Sequence, residues 1–200
     1  MSQHYYSKNP QTTSKPQEWA YTLRGEKIQF QTDAGVFSKN EVDFGSRLLI
    51  DAFEESAVEG PILDVGCGYG PIGIAIAKSF PRKTVHMVDV NTRAIELAKK
   101  NAARNNAENV EVYESDGLSS VKEEGFSAIL TNPPIRAGKE TVFRFYEEAS
   151  AKIAQGGSLW VVIQKKQGAP STEEKLKELF GNCQVADKKK GYFIFEARKV

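Results

Sequence analysis

The run Ile62-Leu63-Asp64-Val65-Gly66-Cys67-Gly68-Tyr69-Gly70-Pro71-Ile72-Gly73 reads as a short buried strand, a glycine-rich turn and the first turn of a helix. Gly68, Gly70 and Gly73 have the spacing G-x-G-x-x-G, which lets a backbone turn sharply and come closer to a ligand than any Cβ allows. Outward from this run, short apolar segments at 85–90, 110–113, 128–131 and 158–163 alternate with helix-period segments at 71–79, 92–105 and 139–154. That alternation is the mark of a parallel sheet covered by helices. A further helix at 172–180 leads to strands at 184–187 and 192–197, joined through Lys188-Lys189-Lys190-Gly191. So short a link forbids a parallel crossover and requires an antiparallel hairpin. The expected fold is α/β, a doubly wound seven-stranded sheet closed by that hairpin.

Toward the N-terminus the pattern changes. Residues 1–17 are polar, contain Pro10 and Pro16, and have no apolar period, so they read as a flexible arm on which the Tyr5-Tyr6 pair could dock. Trp19 to Leu23, a turn at Arg24-Gly25, and Lys27 to Thr32 alternate as a β-hairpin, and from Asp43 onward Leu48, Leu49, Ala52 and Phe53 recur at helical spacing. Three segments result: an arm at 1–17, an extension at 18–58 and a ligand-binding core at 59–200.

With 27 Lys and Arg against 26 Asp and Glu the net charge is +1, which argues against a protein that grips nucleic acid through a broad positive field. Local contacts remain open at Lys8, Lys15, Arg24 and Lys27, at Arg136 and Lys139, at Lys165-Lys166, and at the Lys188 to Lys190 run, where a solvated surface is the simpler account. No apolar run is long enough to span a membrane, and the N-terminus lacks an apolar signal centre, so a cytoplasmic protein is expected. Cys67, Cys183, His4 and His86 share no ligand spacing, so no metal site is expected.

Taken alone, the glycine loop followed by Asp89 is the fingerprint of a dinucleotide site. Three features point elsewhere. Pro71 removes an N–H from the donors a pyrophosphate would use, and Asp64 sets a carboxylate beside the loop, unfavourable to a dianion. Nor is there a second lobe for a hydride acceptor. Both residues suit S-adenosylmethionine, whose ammonium and sulfonium match Asp64 and the carbonyls of Gly66 and Gly68. Asp89, ending the next strand, then accepts the ribose hydroxyls, and Asp116 before Gly117 takes the adenine amino group. Tight turns and helix capping are the plain alternatives for each residue singly. Their joint placement at the carboxyl ends of successive strands favours the ligand site.

Thr131-Asn132-Pro133-Pro134-Ile135 ends the fourth strand on the same edge. Consecutive prolines stiffen the backbone and hold Asn132 out of helical geometry, so its side-chain oxygen and the Pro133 carbonyl can converge on one planar amino group. Two such acceptors orient the nitrogen for direct attack on a methyl carbon, without a covalent intermediate. Cys67, inside the loop, reads as a small loop residue in preference to a nucleophile, and His86 as a core histidine.

From about residue 17 to 200 the chain resembles the class I, Rossmann-like S-adenosylmethionine methyltransferases, and more narrowly the guanine-N2 methyltransferases of bacterial 16S ribosomal RNA. Asp64-Val-Gly-Cys-Gly-Tyr-Gly70 is similar to the cofactor loop, Asp89 to the ribose acid, Asp116 to the adenine contact and Asn132-Pro-Pro to the amino-group binder. The narrower match lies in Thr32-Asp33-Ala-Gly35-Val-Phe37-Ser38 and Asp43-Phe-Gly45-Ser-Arg-Leu-Leu, similar to the segment that covers the cofactor there. The resemblance implies cofactor contacts at Phe37 and Ser38, RNA contacts at Ile135, Arg136, Lys139 and Lys165, and ribosomal RNA or the small subunit as partner. The family commonly has an aromatic after Asn-Pro-Pro where this chain has Ile135, and Arg136 could replace it by stacking its guanidinium on a base. Longer members add a degenerate N-terminal copy of the domain, whereas this chain reads as the catalytic unit with a short arm. Competing readings are a protein glutamine-amide methyltransferase, an NAD-dependent oxidoreductase and a noncatalytic RNA-binding module.

Overall fold

The structure, a computed structural model, describes residue 8, residues 12–38 and residues 40–200; His4, Pro10 and the Tyr5-Tyr6 pair lie outside the described residues. Strands β1 (Gln17–Leu23) and β2 (Glu26–Thr32) form the N-terminal hairpin, with Leu23 opposite Glu26. Arg24 and Gly25 both have positive φ, 49° and 81°, the two-residue turn whose twist matches that of the strands. The alternation in β2 buries Ile28 and Phe30. Helix α1 (Phe44–Ala52) begins where the Asp43 carboxylate accepts the Ser46 N–H, and Arg24 donates to the carbonyls of Ile50 and Phe53 at its other end.

The core alternates β3 (Ile62–Val65), α2 (Pro71–Ser79), β4 (Val85–Asp89), α3 (Thr92–Arg104), β5 (Val110–Glu114), β6 (Phe126–Thr131), α4 (Lys139–Lys152), β7 (Ile153–Gln164), α5 (Ala169–Phe180), β8 (Gln184–Lys189) and β9 (Tyr192–Arg198). The seven-stranded sheet has the order β5-β4-β3-β6-β7-β9-β8, parallel up to β7, with β9 antiparallel to both of its neighbours. Because the central strands are buried on both faces, their residues divide between two cores. Ile62, Met87, Leu130 and Trp160 pack with α1, α2, α3 and the hairpin, whereas Leu63, Val88, Ile129 and Val161 pack with α4 and α5. Among the described residues no helix is long and apolar enough to cross a membrane.

Two boundaries differ from the sequence reading by three residues or more. The strand expected at 158–163 begins at Ile153, because Gly156 and Gly157 extend the sheet: Gly156 N–H donates to the Lys199 carbonyl and Lys199 N–H to that of Gly157. Helix α5 begins at Ala169 and not Thr172, since Pro170 falls in the first turn, where a missing N–H costs nothing.

The outer edge of β2 is closed by side chains. Asn101 and Asn105, one turn apart on α3, each accept a strand N–H and return an N–H to the same residue's carbonyl, at Gln31 and Gln29. Asn101 also donates to the Tyr69 carbonyl, so a fully buried amide joins the hairpin to the glycine loop.

Candidate active site

The strand order reverses between β3 and β6, and a crevice at such a switch point is where open α/β sheets bind ligands. Asp64 stands on β3 with its side chain 1% exposed. Its Oδ2 accepts the Gly73 N–H at 2.9 Å, while Oδ1 is buried without a hydrogen-bond partner. Burial pushes the carboxyl up to about 7, the Gly73 N–H opposes this, and nearby Asp89 adds to it. Gly73 permits the approach: a Cβ there would lie 2.5 Å from Met87. Gly66 and Gly68, with φ of 75° and 57°, face open space where a side chain would project. An orphaned carboxylate oxygen behind an open glycine cradle fits the cationic methionine end of S-adenosylmethionine. Pro71 occupies the first turn of α2 after left-handed Gly70, as expected of a loop that does not bind pyrophosphate.

Asp89 fastens this loop to the sheet. Its Oδ2 accepts Gly68 N–H at 2.8 Å and its Oδ1 accepts Asn91 N–H at 2.9 Å, and burial raises its pKa against those bonds. The Val90 N–H is a further backbone partner of this carboxylate. Asn91 caps α3 and donates to the Gly35 carbonyl, and Tyr69 donates to that of Glu41, so the loop carrying Phe37 and Ser38 is held over the glycine turn. Ser38 donates to Glu41 and Phe37 is 45% exposed. Asp116, exposed after β5, pairs with Arg144 at 2.6 Å. Ahead of β1, the Lys8 carbonyl accepts from Thr92, and Arg93 donates to Thr12 and Ala34. Burial pushes the Cys67 thiol up, with Asp89 and Asp64 adding to the effect, so it is no nucleophile. His86 is buried with Nδ1 3.0 Å from the Tyr113 hydroxyl.

Val65 pairs with Thr131, so Gly66 and Asn132 leave adjacent strands side by side, and Thr131 Oγ1 donates to the Val65 carbonyl at 2.9 Å. The Asn132 amide nitrogen donates to Asp43 Oδ2 at 3.1 Å and to Ser46 Oγ at 3.0 Å. Pro134, at φ −75° and ψ 79°, makes a tight turn in which the Pro133 carbonyl accepts the Ile135 N–H at 2.9 Å. One lone pair of that carbonyl remains. Ile135 and Arg136 lie in a short 3-10 turn, with Arg136 exposed. Lys139 Nζ lies 5.0 Å from the centre of the Phe143 ring. Lys165, just past β7, donates its N–H to Gly191 in the β8–β9 turn. Sequence reasoning placed Asp43 and Ser46 at the helix start, in the segment similar to the family's cofactor cover, and did not connect them with Asn132. Their link to Asn132 spans almost half the chain, and no local pattern reveals it.

Residues 27–196 match the family model described as the methyltransferase small domain. The chain belongs to the methyltransferase small domain family. It is 56% identical to the uncharacterized protein YbxB of Bacillus subtilis across the full length of both. It is 32% identical, over 90% of its length, to ribosomal RNA small subunit methyltransferase C of Vibrio cholerae, of which the match covers 52%. Among solved structures it resembles the Thermus thermophilus 16S rRNA N2 G1207 methyltransferase in complex with AdoMet and guanosine, with a TM-score of 0.84, 25% identity, and coverage of 96% of this chain and 52% of that one. This methyltransferase small domain thus spans about half the length of the ribosomal RNA methyltransferases it matches.

Proposed function

We propose that the protein is an S-adenosylmethionine-dependent N-methyltransferase that modifies the exocyclic N2 of a guanine in 16S ribosomal RNA, in the cytoplasm. The observation that carries this reading is the placement of Asn132. Its amide nitrogen is consumed by Asp43 and Ser46, so its oxygen is the atom left to accept from a substrate, one strand away from the glycine cradle. An acceptor there, with the free lone pair of the Pro133 carbonyl, suits a planar amino group. When bound, the cofactor supplies a methyl made electrophilic by its sulfonium. Asp64 holds the opposite charge of its ammonium, Asp89 takes the ribose, and Asn132 orients the amino nitrogen and stabilises the positive charge that develops on it. The relatives named for 16S rRNA favour guanine N2 over a glutamine amide, which the same two acceptors would also hold.

The test is transfer of labelled methyl from S-adenosylmethionine to RNA and protein extracted from cells lacking the gene, followed by nucleoside analysis. N2-methylguanosine in small-subunit RNA is the expected product. Label confined to protein would replace this reading with amide methylation.

A further inference from the structure

The geometry points to Asp43 as a positioning residue that fixes which face of the Asn132 amide meets the substrate. An asparagine amide is nearly symmetric in shape, so packing alone does not distinguish its oxygen from its nitrogen. An ionised carboxylate only accepts, and Asp43 Oδ2 lies 3.1 Å from Asn132 Nδ2. The amide must therefore turn its nitrogen toward α1 and its oxygen toward the crevice. Ser46 Oγ, 3.0 Å away, takes the second N–H. The same Asp43 oxygen accepts the Ser46 backbone N–H at 3.0 Å, so the carboxylate is held by the helix it caps. Gly45 completes the device: a Cβ there would come within 2.9 Å of the Tyr192 ring and 3.3 Å of Asp43 Oδ2. Asp43-Phe-Gly45-Ser46 thus sets the polarity of a residue 89 positions away.

With the clamp reversed, the amide would present N–H to an amino group that also donates, and the two would repel. This inference rests on Asn132 accepting from an amino nitrogen. It also makes the lone Asn132→Asp substitution unfavourable, because two carboxylates would face each other across the 3.1 Å now spanned by a hydrogen bond.

The test exchanges the partners. Asp43→Asn keeps a good helix cap but removes the acceptor-only group, so kcat should fall about 10²-fold while S-adenosylmethionine affinity and melting temperature stay close to wild type. Asn132→Asp alone should be at least as slow. The double variant Asp43→Asn/Asn132→Asp removes the repulsion between facing carboxylates, so it should be about tenfold faster than Asn132→Asp alone. A double variant as slow as the product of the two single losses, or wild-type turnover in Asp43→Asn, would overturn the assignment. A readout that needs no substrate separates this from failure of the proposed reaction. In 15N-labelled protein the Asn132 side-chain NH2 should be shielded from solvent exchange, and Asp43→Asn should release it. Fast exchange in the wild type would refute the clamp whatever the acceptor proves to be.

Discussion

On the proposed reading, the charge state of Asp64 sets cofactor affinity near neutral pH. Its folded pKa is raised to about 7, chiefly by burial, whereas an unfolded carboxyl titrates near 3.8. The sign follows: the folded state holds the proton more tightly, so the stability Asp64 contributes is full below pH 3.8 and is lost as pH rises through 7. A cationic ligand reverses the preference, because it binds the ionised form. S-adenosylmethionine affinity should therefore rise by close to tenfold between about pH 5.5 and 6.5, and Asp64→Asn should flatten that dependence, as calorimetry across this range would reveal. An affinity independent of pH in the wild type would remove Asp64 from the ammonium site. Asp89→Ala should act differently, weakening binding by about 1.5–3 kcal/mol while leaving turnover at saturating cofactor near wild type. Since Asp89 also ties Gly68 to β4, the glycine loop of that variant should show faster amide exchange.

Among the elements, strands and helices were readable wherever apolar period and glycine spacing carried the signal. Strand β3 and helix α2 begin and end where the sequence places them. The failures came from residues with two uses. Pro170 sits in the first turn of a helix expected to start at 172, and Gly156-Gly157 continues a ladder ahead of a strand expected to start at 158. What sequence could not convey were side chains serving distant backbone: Asp43 and Ser46 on Asn132, and Asn101 and Asn105 on the edge of β2. An i, i+4 asparagine pair on a polar helix face looks like solvated surface until a strand is laid against it. Asn101→Leu should therefore destabilise the fold by about 2 kcal/mol in a denaturant titration, since it strands the half-buried N–H and carbonyl of Gln31 and the carbonyl of Tyr69. A loss below about 1 kcal/mol would mean that water replaces these bonds.

At the scale of the molecule, charge is arranged around the catalytic edge without a net excess. Acidic residues gather on the cofactor side, at Asp64, Asp89, Glu114 and Asp116. The β8–β9 turn brings Lys188, Lys189 and Lys190 beside Lys165 through the Lys165 to Gly191 hydrogen bond, with Lys190 5.1 Å from the Phe44 ring that follows Asp43. RNA should arrive on that side. A net charge of +1 predicts a shallow salt dependence of RNA affinity, corresponding to roughly 2–4 phosphate contacts. Replacing Lys188, Lys189 and Lys190 with Gln should reduce that slope by about 1–2 contacts and leave S-adenosylmethionine binding unchanged. An unaltered slope would move the RNA path to another face.

The most direct measurement of the central claim is the separation of cofactor affinity from turnover in Asn132→Ala. The Asn132 amide nitrogen is held by Asp43 and Ser46 and, on the proposed reading, its oxygen meets the methyl acceptor, so its removal should leave S-adenosylmethionine affinity within a few-fold of wild type. Methyl transfer should fall by about 10²–10³, the usual cost of losing one oriented group that acts in the transition state. Near-wild-type turnover in Asn132→Ala would contradict the account, for Asn132-Pro-Pro would then be a structural turn and the methyl acceptor would be held elsewhere.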